Sequence, residues 1–338
     1  MTMQSDLRAL MDQALSLPVP PLPAPWPADG ESEQDWILEV GRTRAAHEQW
    51  AQEQAAALGG GGAPGAETPL VSAPPDIPVG KVHEVYEGPV RARIYTPVGE
   101  GPFPAVILIH GGGWWIGGGE SGMSAADAPC RLTCQQLDAV VVNVDYRQAP
   151  EHQFPTSLED CYATTVWAVE HAAELCIDPS RVAVMGPSAG GNLAAAVALL
   201  ARDRGGPQLC RQVLMVPALD ATMTSPSIEE NGQGYELTQD YVVGAWELYL
   251  GRDGRRDDPL ASPLHCTDLA GLPPAHVVVA EFDPLRDDGI RYAEKLELAA
   301  VPVVLSRFPM GHSVMTPEVA GDYLGAVLGG LAEAFTEK

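Results

Sequence analysis

From residue 81 onward the chain repeats one alternation, a short run of aliphatic and β-branched residues followed by a longer stretch with apolar positions at helical spacing. The runs lie at 105–109, 139–144, 181–185, 213–216, 276–280 and 303–308, and they show little polar alternation. A strand open to water on one face alternates apolar and polar side chains, so these runs are predicted as strands covered on both faces. The spacers at 157–175, 189–202 and 285–299 fit crossover helices. Two further strands, at 82–86 and 90–95, flank Gly88-Pro89. Eight strands result, and the pattern predicts an α/β fold with a mostly parallel sheet flanked by helices.

The first 80 residues have a different texture. Residues 18–30 form a proline-rich arm, and 59–78 contain Gly59-Gly60-Gly61-Gly62 with five prolines, so both stretches are predicted as irregular linkers. Between them, Ser32-Glu33-Gln34-Asp35 is a helix-start pattern, Trp36, Val40, His47 and Trp50 share one helical face, and Gly59 supplies a stop. A helix with one apolar face needs a surface to lie on. Residues 1–80 are therefore predicted as N-terminal helices and linker, set apart from a main domain at 81–338.

Lys+Arg 20 against Asp+Glu 45 leaves a net charge of −25, which repels phosphate backbones and anionic membrane surfaces. Residues 1–17 lack a basic segment followed by an apolar one, so no secretory signal is read there. The longest apolar run, 193–201, is far below the roughly 18 residues of a membrane span. A cytoplasmic protein with neither nucleic-acid nor membrane partners is expected. Cys130, Cys134, Cys161, Cys176, Cys210 and Cys266 form no CxxC pair and are expected as buried free thiols, not zinc ligands.

In mostly parallel sheets, sites form outside the carboxyl ends of the strands. Directly after the 181–185 run stands Gly186-Pro187-Ser188-Ala189-Gly190-Gly191, a G-x-S-x-G turn leading into a helix. Such a turn exposes a strained serine at a strand tip, with flanking glycines because side chains there would clash with the neighbouring strand and helix. Directly after 105–109 stands His110-Gly111-Gly112-Gly113-Trp114, whose glycines let backbone N–H groups face a site. Gly112, Gly113 and Ala189 are the candidate oxyanion donors. His110 is expected as a loop anchor. A serine nucleophile needs a base, and the base an orienting carboxylate. Asp283 follows the 276–280 run and His312 the 303–308 run, giving the chain order Ser, Asp, His. Asp287 and Asp288 fall at the start of the next helix and are expected there through its dipole. His83, His152, His171, His265 and His276 have no comparable placement.

At these residues the chain resembles the hormone-sensitive-lipase-like branch of the α/β-hydrolases, the bacterial family IV esterases. The likeness rests on residues 110–114, Asp145-Tyr146-Arg147-Gln148-Ala149-Pro150-Glu151-His152, Phe154-Pro155, residues 186–191, Asp283-Pro284-Leu285-Arg286-Asp287 and Gly311-His312, in order over about 80–335. It implies an α/β-hydrolase catalytic domain at 81–338 with Ser188, Asp283 and His312 as triad. It also implies a helical cap, made of the N-terminal helices and an insertion at about 218–262. There Tyr235, Tyr241, Trp246 and Tyr249 either line a pocket or pack within the cap; Trp114, Trp115, Tyr235 and Trp246 are the candidate substrate contacts. Three features depart from the family. Pro187 stands where Asp or Thr is usual, and the elbow is expected to survive because Ala189 keeps its N–H. Ser313-Val314 replaces the more frequent Gly-Phe and reshapes the pocket floor, and the N-terminal region is long and rich in proline and glycine.

The expectation is a serine carboxylesterase acting on small to medium neutral esters through an acyl-enzyme, with no metal or organic cofactor. An amide- or lactone-cleaving hydrolase would use the same residues. The gibberellin receptors, non-hydrolytic binders similar to this family, lack a working base, and His312 argues against that alternative. Lyases of the family replace a glycine of the oxyanion loop by threonine, unlike Gly111-Gly112-Gly113. The sequence leaves a homodimer open.

Overall fold

The computed structural model describes residues 5–17, 19–57 and 77–336. Two helices, α1 (Ser5–Ala14) and α2 (Glu33–Ala57), precede the strands β1 (Lys81–Glu87), β2 (Val90–Thr96) and β3 (Phe103–Ile109). Then follow α3 (Gly119–Ala125), α4 (Asp127–Leu137), β4 (Val140–Val144), α5 (Thr156–Glu170), α6 (Ala172–Leu175), β5 (Ile177–Pro187), α7 (Ala189–Asp203) and β6 (Arg211–Met215). The chain closes with α8 (Pro226–Asn231), α9 (Gln239–Leu250), β7 (Ala275–Phe282), α10 (Arg286–Leu298), β8 (Val303–Gly311) and α11 (Pro317–Thr336).

One eight-stranded sheet runs in the order β1-β2-β4-β3-β5-β6-β7-β8. β1 pairs antiparallel with β2 and β2 with β4, and every later pairing is parallel. The strand order reverses between β3 and β5, which pair directly with Leu108 opposite Met185. Their carboxyl ends therefore emerge side by side, and the glycine loop and the serine turn are neighbours by topology.

The unalternated runs behave as expected in the middle of the sheet, where every residue of β3, β4 and β6 is buried. The main core packs α5, α7 and α10 on one face, and α4 and α11 cover the other. The alanine-rich α7 is buried from Ala189 to Ala201, since small side chains let its backbone approach the sheet closely. The 303–308 run departs from the expectation: β8 is the outermost strand, and Val304 and Leu305 are exposed. The stretch predicted as one helix at 157–175 breaks at His171 into α5 and α6.

α2 begins as expected: Ser32 Oγ accepts from Asp35 N (3.1 Å) and donates to Asp35 Oδ2 (2.7 Å). Its apolar face lies on the proline arm, with Trp36 Nε1 donating to Ala24 O (2.9 Å) and the His47 ring 3.2 Å from Pro21 O. Gly59, the expected stop, and the linker up to residue 76 lie outside the described residues. All six cysteines are free, but only Cys130, Cys134 and Cys161 are buried, and Cys176 is exposed on the turn that leaves α6.

Leu193 of α7 is fully buried, whereas Leu298 of α10 is exposed. Truncating Leu193 to Ala is expected to cost roughly 2–5 kcal/mol in chemical denaturation, against less than about 0.5 kcal/mol for Leu298→Ala.

Candidate active site

The turn between β5 and α7 is set by close contact. Ser188 adopts φ 54 and ψ −119, outside the regions a serine ordinarily occupies. A Cβ on Gly186 would come within 2.4 Å of Gly190 backbone atoms, and one on Gly190 within 2.1 Å of Ile109 O. Glycine is thus required twice, as expected from the motif. Pro187 ends β5 in register with Met215, and the Ser188 N–H donates to Met215 O at 2.8 Å, so the elbow forms despite the proline.

His312 at the end of β8 joins the other two residues. Its Nε2 lies 3.0 Å from Ser188 Oγ and its Nδ1 2.8 Å from Asp283 Oδ2. Asp283 is fully buried, and its Oδ1 accepts from Leu285 N (2.8 Å), which fixes the carboxylate plane. Ser188 and His312 are also buried, so the pair is shielded from bulk water. The imidazole can take the serine proton on one side while the carboxylate holds its tautomer on the other.

The candidate oxyanion loop turns at Gly112 (φ 98) and Gly113 (φ 56), and Gly112 O accepts from Trp115 N (3.1 Å) and Ile116 N (3.0 Å). Helix geometry leaves the N–H of Ala189, first residue of α7, without an intrahelical acceptor. The 145–151 segment braces this loop from behind. Tyr146 stacks on His110 at 4.1 Å, its hydroxyl donates to His110 O (3.1 Å), and Ala149 N donates to Trp114 O (3.0 Å). His110 is thus the loop anchor that was expected, with Nδ1 2.7 Å from Gly111 O.

Two further side chains at the site carry no motif. Arg44 of α2 donates to Trp115 O (2.7 Å) and Ala149 O (3.0 Å) and forks onto Glu151 (2.9 and 2.7 Å). It ties an N-terminal helix to the oxyanion loop and its brace. Glu236, between α8 and α9, accepts from Ser313 N (2.7 Å) and Val314 N (3.1 Å), next to the base. Only the acidic and basic residue types were visible in the sequence, since both contacts cross long separations.

The candidate substrate contacts need correction. Trp114 stacks on Tyr249 at 4.4 Å and packs on Trp246 at 4.2 Å, and all three are buried in the main core. Trp115 is buried among Ile116, Ala149 and Leu248, with Nε1 donating to Tyr241 Oη (3.2 Å). Large flat rings at this junction hold the 239–250 helix onto the oxyanion loop, so Trp114, Trp115 and Trp246 are packing residues. Tyr235 stays half-buried, its ring 5.9 Å from Phe282, beside Leu7, Met11 and Val314. Val314, expected to alter the pocket floor, is the seat of α1.

Asp287 and Asp288 stand in the first turn of α10, as the dipole argument expected, but their carboxylates bond outward, and Ser227 Oγ accepts from Asp287 N (3.0 Å). Asp288 accepts from Leu219 N (2.9 Å) and Asp220 N (3.1 Å), and Asp287 from Ser227 N (3.0 Å), so both hold the chain that leaves β6. Burial pushes the Asp288 carboxyl up to about 7. His265 bonds Asp220 (2.8 Å) and His276 bonds Ser306 (2.9 Å), both away from Ser188. Burial lowers His276 to about 4 and keeps it neutral.

This fold has known counterparts. A family described as alpha/beta hydrolase fold matches residues 106–316, more than half of the chain. The chain belongs to that family, as its resemblance to the hormone-sensitive-lipase-like branch implied. It is 46% identical over 225 residues to the carboxylic ester hydrolase LipN of Mycobacterium tuberculosis, a match spanning 64% of this chain and 58% of LipN. With the arylesterase of Saccharolobus solfataricus it shares 40% identity over 248 residues, 70% of this chain and 78% of that one. A bacterial heroin esterase superposes with a TM-score of 0.80 at 31% identity, covering 99% of both chains.

Gly190 and Gly41 separate crowding from helix propensity. Gly190→Ala, which meets Ile109 O, is expected to lower kcat/KM for p-nitrophenyl butyrate by roughly 100-fold or more and to depress the melting temperature. Gly41→Ala on α2, with open space around its Cβ position, is expected to gain up to about 1 kcal/mol in thermal unfolding with activity intact.

Proposed function

We propose that the chain is a serine carboxylesterase whose nucleophile, base and orienting acid are Ser188, His312 and Asp283. Family membership and the esterase relatives support ester hydrolysis. The observation that carries the residue roles is the hydrogen-bonded line from Ser188 Oγ to His312 to Asp283, at 3.0 and 2.8 Å, at the carboxyl ends of three strands. His312 Nε2 takes the Ser188 proton as Oγ attacks the ester carbonyl. The N–H groups of Gly112, Gly113 and Ala189 receive the oxyanion. The imidazolium, stabilised by Asp283, then protonates the leaving alkoxide, and water repeats the sequence on the acyl-enzyme.

The substrates are small to medium neutral esters. A net charge of −25 lowers the encounter rate of anionic ones. α1, α2 and the 218–262 segment form the cap over the strand ends, and the half-buried Tyr235, packed with Met11 and Phe282, is its candidate substrate contact. No described helix is long and apolar enough to cross a membrane. Six free cysteines fit a reducing compartment such as the cytoplasm.

p-Nitrophenyl esters from acetate to palmitate, assayed with wild type and Ser188→Ala together, test this function. Fast turnover of the short esters is expected, with kcat/KM reduced by roughly 10⁴-fold or more in Ser188→Ala and comparably in Asp283→Asn. Wild-type turnover no faster than the alanine variant would contradict it. A dianionic ester is expected to react more slowly than its neutral isostere at low salt, the gap closing as salt is added; equal rates at low salt would contradict the charge argument.

A further inference from the structure

Glu236 places a second carboxylate beside the base, and the mechanism above gives it no part. Its Oε1 takes the N–H groups of Ser313 and Val314, the residues that follow His312, while its Oε2 is buried without a hydrogen-bond partner. The group lies flush on Gly311, where a Cβ would stand 2.4 and 2.6 Å from its two oxygens and 2.1 Å from Met11 Cε. The backbone on both sides of His312 is therefore gripped by one carboxylate from the 218–262 segment and one methionine from α1.

A buried carboxylate with an unsatisfied oxygen is costly, and burial accordingly pushes the Glu236 carboxyl above its ordinary range. The two N–H bonds and the positive charge that His312 can carry act in the opposite direction. The arrangement improves once His312 has taken the serine proton.

We propose that Glu236 is a positioning residue for the base, holding the 311–314 loop by its backbone and supplying, with Asp283, negative charge that stabilises the His312 imidazolium in the transition state. An interaction that strengthens only as the imidazole becomes charged lowers the barrier without tightening substrate binding. The other groups around the pair are accounted for. Asp283 faces His312 from the loop after β7 at 2.8 Å. α1 presents Leu7 and Met11, its Arg8 and Asp12 pairing with each other at 2.7 Å on the exposed side. β7 presents Phe282, β8 carries Arg307 bonded to Glu281, and Tyr235 precedes Glu236 in the chain.

The inference rests on Ser188, Asp283 and His312 being the triad, and its test keeps the two apart. The pH profile of kcat/KM for p-nitrophenyl butyrate is recorded for wild type, Glu236→Gln, Glu236→Met and Glu236→Asp, with circular dichroism to select the variants that fold. Gln keeps an acceptor for the two N–H groups, Met keeps only the bulk, and Asp keeps the charge. Removing negative charge makes the imidazolium harder to form. The acid limb is therefore expected to move down by roughly 0.5–1 pH unit in whichever of Gln and Met folds, with kcat roughly 5- to 30-fold lower and KM within about twofold. Asp is expected to keep the wild-type limb. An unmoved limb in the charge-free variants, or an equal shift in Asp, overturns the role of Glu236 while leaving the triad in place. Turnover that survives Ser188→Ala overturns the triad itself.

Discussion

The backbone of Ser188, held at φ 54 and ψ −119 between β5 and α7, is the constraint on which the rest of the site depends. A serine pays for such a conformation, and it persists only where its surroundings allow no alternative. Here the surroundings are backbone: Gly186 and Gly190 lie so close to each other and to Ile109 O that no Cβ would fit on either. The same contact brings the end of β3 against the start of α7. The glycine loop that follows β3 and the Ala189 N–H are thereby set on one side of Ser188, while β7 and β8 deliver Asp283 and His312 to the other.

Elements outside the sheet complete the positioning. Arg44 grips the oxyanion loop through Trp115 O and its brace through Ala149 O and Glu151. Glu236 grips the base loop, α1 packs Met11 and Leu7 against Val314 and Phe282, and Ala245 sits 3.2 Å from where a Gly113 Cβ would be. Support of the loop that follows β3 thus does not depend on a polar side chain at position 187. Arg44 and Tyr146 bond its backbone directly, Glu151 fixes Arg44, and Asp145 holds Gly119 N just beyond it.

The legible part of the site was the part whose chemistry is local in sequence. A strand followed at once by G-x-S-x-G, or by His110-Gly111-Gly112-Gly113, encodes a turn within a few residues, and strand runs buried on both faces announce themselves by lack of alternation. Asp283 and His312 were legible because each follows an apolar strand run within a few residues. The illegible parts depend on tertiary neighbours. Trp114, Trp115 and Trp246 look the same in sequence whether they line a pocket or stack on one another. β8 reads as interior because its run is apolar, although its position at the sheet edge exposes Val304 and Leu305. Arg44 and Asp288 bond to groups distant in the chain, and nothing in their own surroundings distinguishes them from surface charges.

The central claim is that Ser188 carries the acyl group, and covalent labelling tests it most directly. Wild-type enzyme inactivated with a p-nitrophenyl alkylphosphonate is digested and mapped by mass spectrometry, with Ser188→Ala treated in parallel. The structure leads to one adduct per chain, on Ser188, formed in step with loss of activity and absent from the alanine variant. Inactivation with the label on another residue, or full labelling of Ser188 with ester turnover intact, would contradict the account.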